Sequence, residues 1–284
     1  MMWLPLTAIC VVCSSVSTLI QRSLLKKQTH DPIVLSILFQ FGAGVLILIV
    51  GFVLTGFDFS GIANVWNHYL ILGFLYGFGH ILVFKALQIS DVSHFIVLFS
   101  LRAFVTIISA ALILDQHLTL VQIAGAICIF FSVILITIKS SKIQLGIPEL
   151  LALGAAICFG LASINDKILL SNQDIFTYLL IAFFLPAGMM TILYIRKLPN
   201  ARTIVQSGDT RLFIIYCLLY TAGAIAFSAA LQDVDIVSKV TTVNISNVIL
   251  TVILSMVILK ERQHIPKKML AVCVCILGLF LVSI

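Results

Sequence analysis

Hydrophobic positions in this chain do not alternate with polar ones; they fill whole segments, and polar residues gather in the short breaks between. Runs such as Gly42 to Val53 and Ile123 to Ile136 are apolar on nearly every face, as expected of helices lying in lipid rather than helices with one face on a soluble core. The segments fall at 3–23, 33–55, 69–89, 92–114, 118–138, 147–170, 174–195, 210–231, 236–259 and 267–284, which predicts ten transmembrane helices. Each is close to the roughly 20 residues that a helix rising about 1.5 Å per residue needs to cross a bilayer. A β-barrel would instead alternate apolar and polar residues over segments of about ten. Open strands are excluded because lipid cannot satisfy their backbone groups. The expected class is therefore an all-α integral membrane protein. No Lys or Arg precedes the first segment and no small-residue cleavage pattern closes it, so it is expected to be a retained helix and not a secretory signal.

Composition sharpens this reading. With 61% hydrophobic and 10% charged residues among 284, the chain has far more apolar surface than a soluble core of that size hides. The formal charge of +6 is a matter of topology, not of nucleic-acid binding. Of the 17 basic residues, all but Arg102, Lys167 and Lys239 lie in or beside the connections after the first, third, fifth, seventh and ninth segments. The positive-inside rule then puts those connections in the cytoplasm and both termini on the outer side of a plasma or inner membrane. All seven cysteines fall in apolar segments, where they act as small hydrophobes. Cys10 and Cys13 have metal-motif spacing but no polar Cys or His pair to complete a zinc site, so neither metal nor cofactor is expected.

An offset of 145 residues maps Cys13 on Cys158, Thr18 on Ser163, Arg22 on Lys167, Phe39 on Phe184, Ala43 on Gly188, Ser93 on Ser238, Thr106 on Thr251 and Leu114 on Leu259. Ala86-Leu87-Gln88 matches Ala230-Leu231-Gln232 at an offset one shorter. The chain thus divides into repeats 1–143 and 144–284. Each holds five predicted segments, and the odd number makes the second copy enter the membrane from the opposite side. Such inverted repeats around a membrane-plane pseudo-two-fold axis are the architecture of alternating-access carriers.

The residues resemble the EamA-type ten-helix members of the drug/metabolite transporter superfamily over nearly the whole chain. The best local matches are Phe84-Lys85-Ala86-Leu87-Gln88 with Asp91-Val92-Ser93, and Ile113-Leu114-Asp115-Gln116. In the second copy they are Ala230-Leu231-Gln232 and Val257-Ile258-Leu259-Lys260-Glu261-Arg262. Only the second copy keeps the glutamate of the family's acidic turn; Gln116 stands there in the first. The resemblance implies a carrier, expected to be an exporter, in which segments one to four and six to nine enclose the cavity while five and ten lie outside. Family members mostly resemble one another in having termini inside, whereas the charges here put them outside.

Polar groups inside a bilayer usually face a cavity or a partner helix, so their stripes locate a pathway. Arg102, Thr106 and Ser109 share a face of the fourth segment, and Thr241, Asn244, Asn247 and Thr251 a face of the ninth. Arg102 and Asn247 are repeat equivalents. Ser14, Thr18 and Gln21 mark the first segment, and Ser163 and Asp166 its repeat partner. Arg102 is the sharpest of these, because a mid-span guanidinium costs roughly 2.5 kcal/mol or more and calls for a counter-charge. That partner is either the carboxylate or phosphate of a solute, held through the guanidinium fork, or structural, a pair with Asp166 or hydrogen bonds to carbonyls and to Gln40. His80 and Tyr76, one turn apart, are further candidates for the cavity wall. Gly73, Gly77 and Gly79, like Gly42 and Gly44, suit close helix packing.

The expected partners are a small-molecule solute, an amino acid, organic anion or similar metabolite, and the lipid bilayer; the oligomeric state is left open. Two other functional classes stay in view: an intramembrane enzyme, for instance one using Ser100 or Ser163 with His80, and a non-transporting membrane subunit.

Overall fold

A computed structural model describes residues 3–26, 30–113, 119–139, 142–143, 145–232, 244, 246–260 and 265–283. The long apolar segments fold as helices: α1 (Trp3–Lys26), α2 (Pro32–Leu54), α3 (Ile62–Ile89), α4 (Val92–Phe99), α5 (Leu101–Ile113) and α6 (Leu120–Thr137). Then come α7 (Ile147–Leu170), α8 (Ile175–Leu193), a 3₁₀ turn over Ile195–Ala201, and the short α9 (Arg202–Gln206). The chain closes with α10 (Thr210–Gln232), α11 (Ser246–Ile258) and α12 (Ile265–Ser283). Seven stretches among the described residues are long and apolar enough to cross a membrane; Leu120–Leu135 and Asn247–Ile258 are shorter apolar helices. Residues 236–243 of the predicted ninth segment, with Thr241, lie outside the described residues.

Two local features depart from the plain helical reading. The fourth segment is interrupted at Ser100, whose amide reaches back to the carbonyls of both Ile96 and Val97 while its own carbonyl accepts from Ala103 N. This tightening to i→i+3 bonds divides α4 from α5 immediately before Arg102. Between α6 and α7, two-residue strands β1 (Ile138–Lys139) and β2 (Lys142–Ile143) pair antiparallel, Ile138 opposite Ile143.

Helix starts are fixed by side chains that fill the orphan donors of the first turn. Asp31 accepts from Ile33 N at 2.8 Å before α2. Asp174 accepts from Phe176 N and Thr177 N, each at 3.0 Å, before α8. Glu149 folds back on Gly146 N at 2.9 Å before α7.

Packing exchanges partners between the two halves. α1 runs along α10 and α11, while α7, its counterpart in the second repeat, runs along α3, α4 and α5. α2 packs on α8, and α6 on α12. Small residues permit the closest approaches. A Cβ on Gly278 of α12 would lie 2.7 Å from the Gly125 carbonyl of α6. One on Gly160 of α7 would lie 2.6 Å from Val105 Cβ and 2.8 Å from the Arg102 carbonyl. Gly73, Gly77 and Gly42 are likewise pressed against Met189, Met190 and Cys217.

Candidate functional site

Where α1, α3, α5, α7 and α10 converge, the bundle holds a group of aromatic and charged side chains. Arg102, in the first turn of α5, is half-buried, and its guanidinium carbon lies 4.7 Å from the centre of the Phe99 ring. Such a cation over a ring face is worth about 0.5–2 kcal/mol. Among the described residues the guanidinium has no hydrogen-bond or ion-pair partner. Tyr76, Tyr220 and Cys10 are the groups within its electrostatic reach. Neither Asp166 nor Gln40 serves as its counter-charge: Gln40 is fully buried and its amide returns to Ser36 O of its own helix at 3.2 Å.

Asp166 has different company. Tyr76 on α3 donates to its Oδ2 at 2.5 Å. Tyr178 on α8 lies within electrostatic reach of the same carboxyl and of Tyr76. The other oxygen, Oδ1, is shielded from water and has no partner among the described residues. Arg102 and Asp166 thus share two phenols, Tyr76 and Tyr220, within their electrostatic reach.

Aromatic rings fill the space between them. Phe159 of α7 stands edge-on to Tyr76 at 5.2 Å, to His80 at 5.1 Å and to Phe99 at 5.2 Å. His80 places Nδ1 on the Tyr76 carbonyl at 2.8 Å and Nε2 3.5 Å from Tyr220 Oη. Toward the end where α1 stops and α2 begins, Phe39, Phe84 and Tyr216 close the space, each at most 1% exposed, with Phe39 packed on Tyr216 at 4.8 Å and on Tyr220 at 4.7 Å. Beyond this dry layer the same end is laced by polar bonds. Arg22 donates to the Leu87 and Gln88 carbonyls, His30 meets Asp209 at 3.0 Å, Lys197 meets Asp31 at 3.1 Å, and Lys268 meets Asp91 at 2.8 Å. By contrast Tyr76, Arg102, Phe159, Asp166 and Tyr220 are all only half-buried.

The remaining sequence candidates divide. Asn244, which precedes α11, accepts weakly from Cys10 at 3.9 Å, and Cys10 is within electrostatic reach of Arg102. Asn247 is engaged by Ser14, Ser15 and Thr251, a seam joining α1 to α11. Thr18 bonds to Ser14 O of its own helix. Thr106 spans the Arg102 carbonyl at 2.9 Å and the Gly160 carbonyl at 3.1 Å, so its hydroxyl clasps α5 to α7. Gln21 is buried, its amide nitrogen without a partner among the described residues, and Ser163 is exposed with its hydroxyl on Phe159 O. Neither Ser100, bonded to Val97 O, nor Ser163 meets His80. Tyr178, Tyr220, Phe159, Phe99 and Phe39 were not singled out by the polar stripes. Tyr76 and Tyr220 stand 144 residues apart, the offset of the Ala-Leu-Gln match, and this spacing is the one signal that could have found Tyr220.

Comparison with known proteins bears on the whole chain. The profile of the EamA-like transporter family matches twice, at residues 1–138 and 146–284. No curated protein matches the sequence. A solved structure described as "Crystal structure of protein" is similar to this chain with a TM-score of 0.56, covering 96% of this chain and 95% of its own at 12% identity, a likeness of fold alone.

Proposed function

Because the chain belongs to the EamA-like transporter family, we propose that it carries a small anionic metabolite across a plasma or inner membrane by alternating access, in the direction of export. Ten spans form two inverted five-helix repeats in this reading, with both termini outside. Segments one to four and six to nine surround the solute. The exchange of partners between halves supports this, since α1 with α10 and α7 with α3 are pairs that a two-fold axis would interchange. The pairing of α6 with α12 supports a place for the fifth and tenth segments outside the cavity.

The observation that carries the proposal is Arg102. A guanidinium within the span, half-buried and without hydrogen bonds from the described residues, stands in an aromatic surround where a carboxylate or phosphate can take its fork of donors. Tyr76, His80, Tyr220 and Asn244 form the wall that fixes the solute's orientation. Ser14, Thr106 and Asn247 hold together the helices that carry it. Phe39, Phe84 and Tyr216 act as the closed gate on the cytoplasmic side, with the polar bonds of that end as its latch.

Purified protein in liposomes tests this with labelled pyruvate, glutamate and inorganic phosphate. Wild-type protein should move at least one of them. Arg102→Gln should lower that flux about tenfold or more, as expected from losing a charge-assisted bond of roughly 1.5–3 kcal/mol, while the protein remains inserted. Equal flux in wild type and variant would remove Arg102 from the pathway.

A further inference from the structure

We infer that Asp166, with Tyr76 bonded to it, is a proton-binding site whose occupancy is coupled to an anion at Arg102, so that the carrier moves a proton together with its solute. This rests on the anion reading of Arg102 given above. Asp166 is the carboxylate of the chamber, and no cation pairs with it among the described residues. Its Oδ1 is sealed from water and without a partner there. A proton can instead be relayed to the carboxyl through the Tyr76 hydroxyl, which bonds Oδ2.

The Tyr76 phenol suits the exchange. A tyrosine hydroxyl both donates and accepts, so Tyr76 can donate to the carboxylate and accept from the acid, and the bond at Oδ2 is kept in either protonation state. Of the other ionisable groups around Asp166, α3 contributes His68, which is engaged by Asn165 at 2.7 Å, Tyr69, which faces Asp174 of α8, and His80, which is held by Tyr76 and Tyr220. From α5 comes Arg102, and from α10 Tyr220. His94 on α4 is engaged at the far end by Glu149, and Lys167 next in sequence is exposed. The repeat equivalent of Asp166, 145 residues earlier, is the neutral Gln21, which leaves one such site per chain.

Coupling follows from charge. With Asp166 ionised, the chamber holds one cation and one anion, both within reach of Tyr76 and Tyr220, and the carboxylate opposes entry of a second anion. A proton taken from bulk water at the open side converts it to the acid and leaves Arg102 as the net charge. The solute then binds more tightly, and by linkage the bound solute holds the proton. When the chamber opens on the other side, the proton returns to bulk water there with the anion, and a monoanion with one proton crosses without net charge.

Two measurements decide this. Infrared difference spectra of the purified protein between about pH 5 and pH 9, a range that brackets shifted carboxylates, should show a carboxylic-acid carbonyl band that titrates in wild type and is absent in Asp166→Asn. In Tyr76→Phe the band should persist with a displaced midpoint, which separates a titrating Asp166 from a misfolded variant. Identical spectra in wild type and Asp166→Asn would overturn the proposal. In liposomes, an imposed pH gradient should drive accumulation of the transported probe in wild type and not in Asp166→Asn. Arg102-dependent flux that ignores the gradient would overturn the coupling and leave the proposed function standing. Failure of all three probes to move would count against the anion reading, while the spectra would still decide the proton site.

Discussion

Gly160 and Gly73 lack the same atom but face different neighbours, and this sets what each tolerates. At Gly160 an added methyl meets the branched Val105 Cβ and the backbone carbonyl of Arg102, neither of which can swing aside. At Gly73 the nearest atom is the sulfur of Met189, on a flexible side chain. Gly160→Ala should therefore destabilise the protein by about 1–3 kcal/mol, the usual range for overpacking, and Gly73→Ala by clearly less. Thermal unfolding in detergent checks the order, and a reversed order would contradict the close α5–α7 contact. Single residues were legible in the sequence where they broke the apolar pattern: Arg102, Asp166, Tyr76 and His80 stood out and do gather. Phe39, Phe99 and Phe159 did not stand out, because a phenylalanine facing lipid and one facing the bundle interior look alike to hydropathy. Thr106 and Ser163 shared a polar stripe with functional candidates, yet their hydroxyls are consumed by backbone carbonyls. A stripe cannot foresee this, since a helical Ser or Thr can satisfy itself on the preceding turn.

At the scale of elements, the connections do more than join helices. Asp174 caps α8 through two amides and also receives Asp58 N at 3.3 Å, tying the α2–α3 connection to the start of α8. Asp174→Ala should cost about 1 kcal/mol for the cap, seen as a lower unfolding temperature, with Asp174→Asn closer to wild type because its carbonyl oxygen still accepts. Equal losses in the two variants would argue against capping as the cause. The cap positions were readable in outline, as Asp31 precedes Pro32 and Asp174 opens an apolar run. The interruption at Ser100 was not, because Leu-Phe-Ser-Leu-Arg carries neither glycine nor proline. The tightening there depends on the Ser100 hydroxyl bonding Val97 O at 2.6 Å and accepting from Cys275 of α12 at 3.0 Å, a contact between distant parts of the chain. This turn at Ser100, two residues before Arg102, divides α4 from the helix that presents the guanidinium.

For the molecule as a whole, the duplication could be read from the 145-residue offset because both copies keep scattered matches. The relation between the copies could be read only through parity, an argument that depends on the number of spans. The packing agrees with a two-fold relation of either orientation: such an axis would interchange the α1–α10 and α7–α3 pairs, and the cluster around Arg102 and Asp166 lies where these pairs meet. Lys26 and Ser171 stand 145 residues apart, at the ends of equivalent helices. Single cysteines placed at these two positions in a cysteine-free background, probed with an impermeant maleimide in intact cells, test the inversion most directly. Ser171→Cys should label from outside, and Lys26→Cys only after the cells are opened. Labelling of both from the same side would contradict inverted repeats, and with them the alternating chamber.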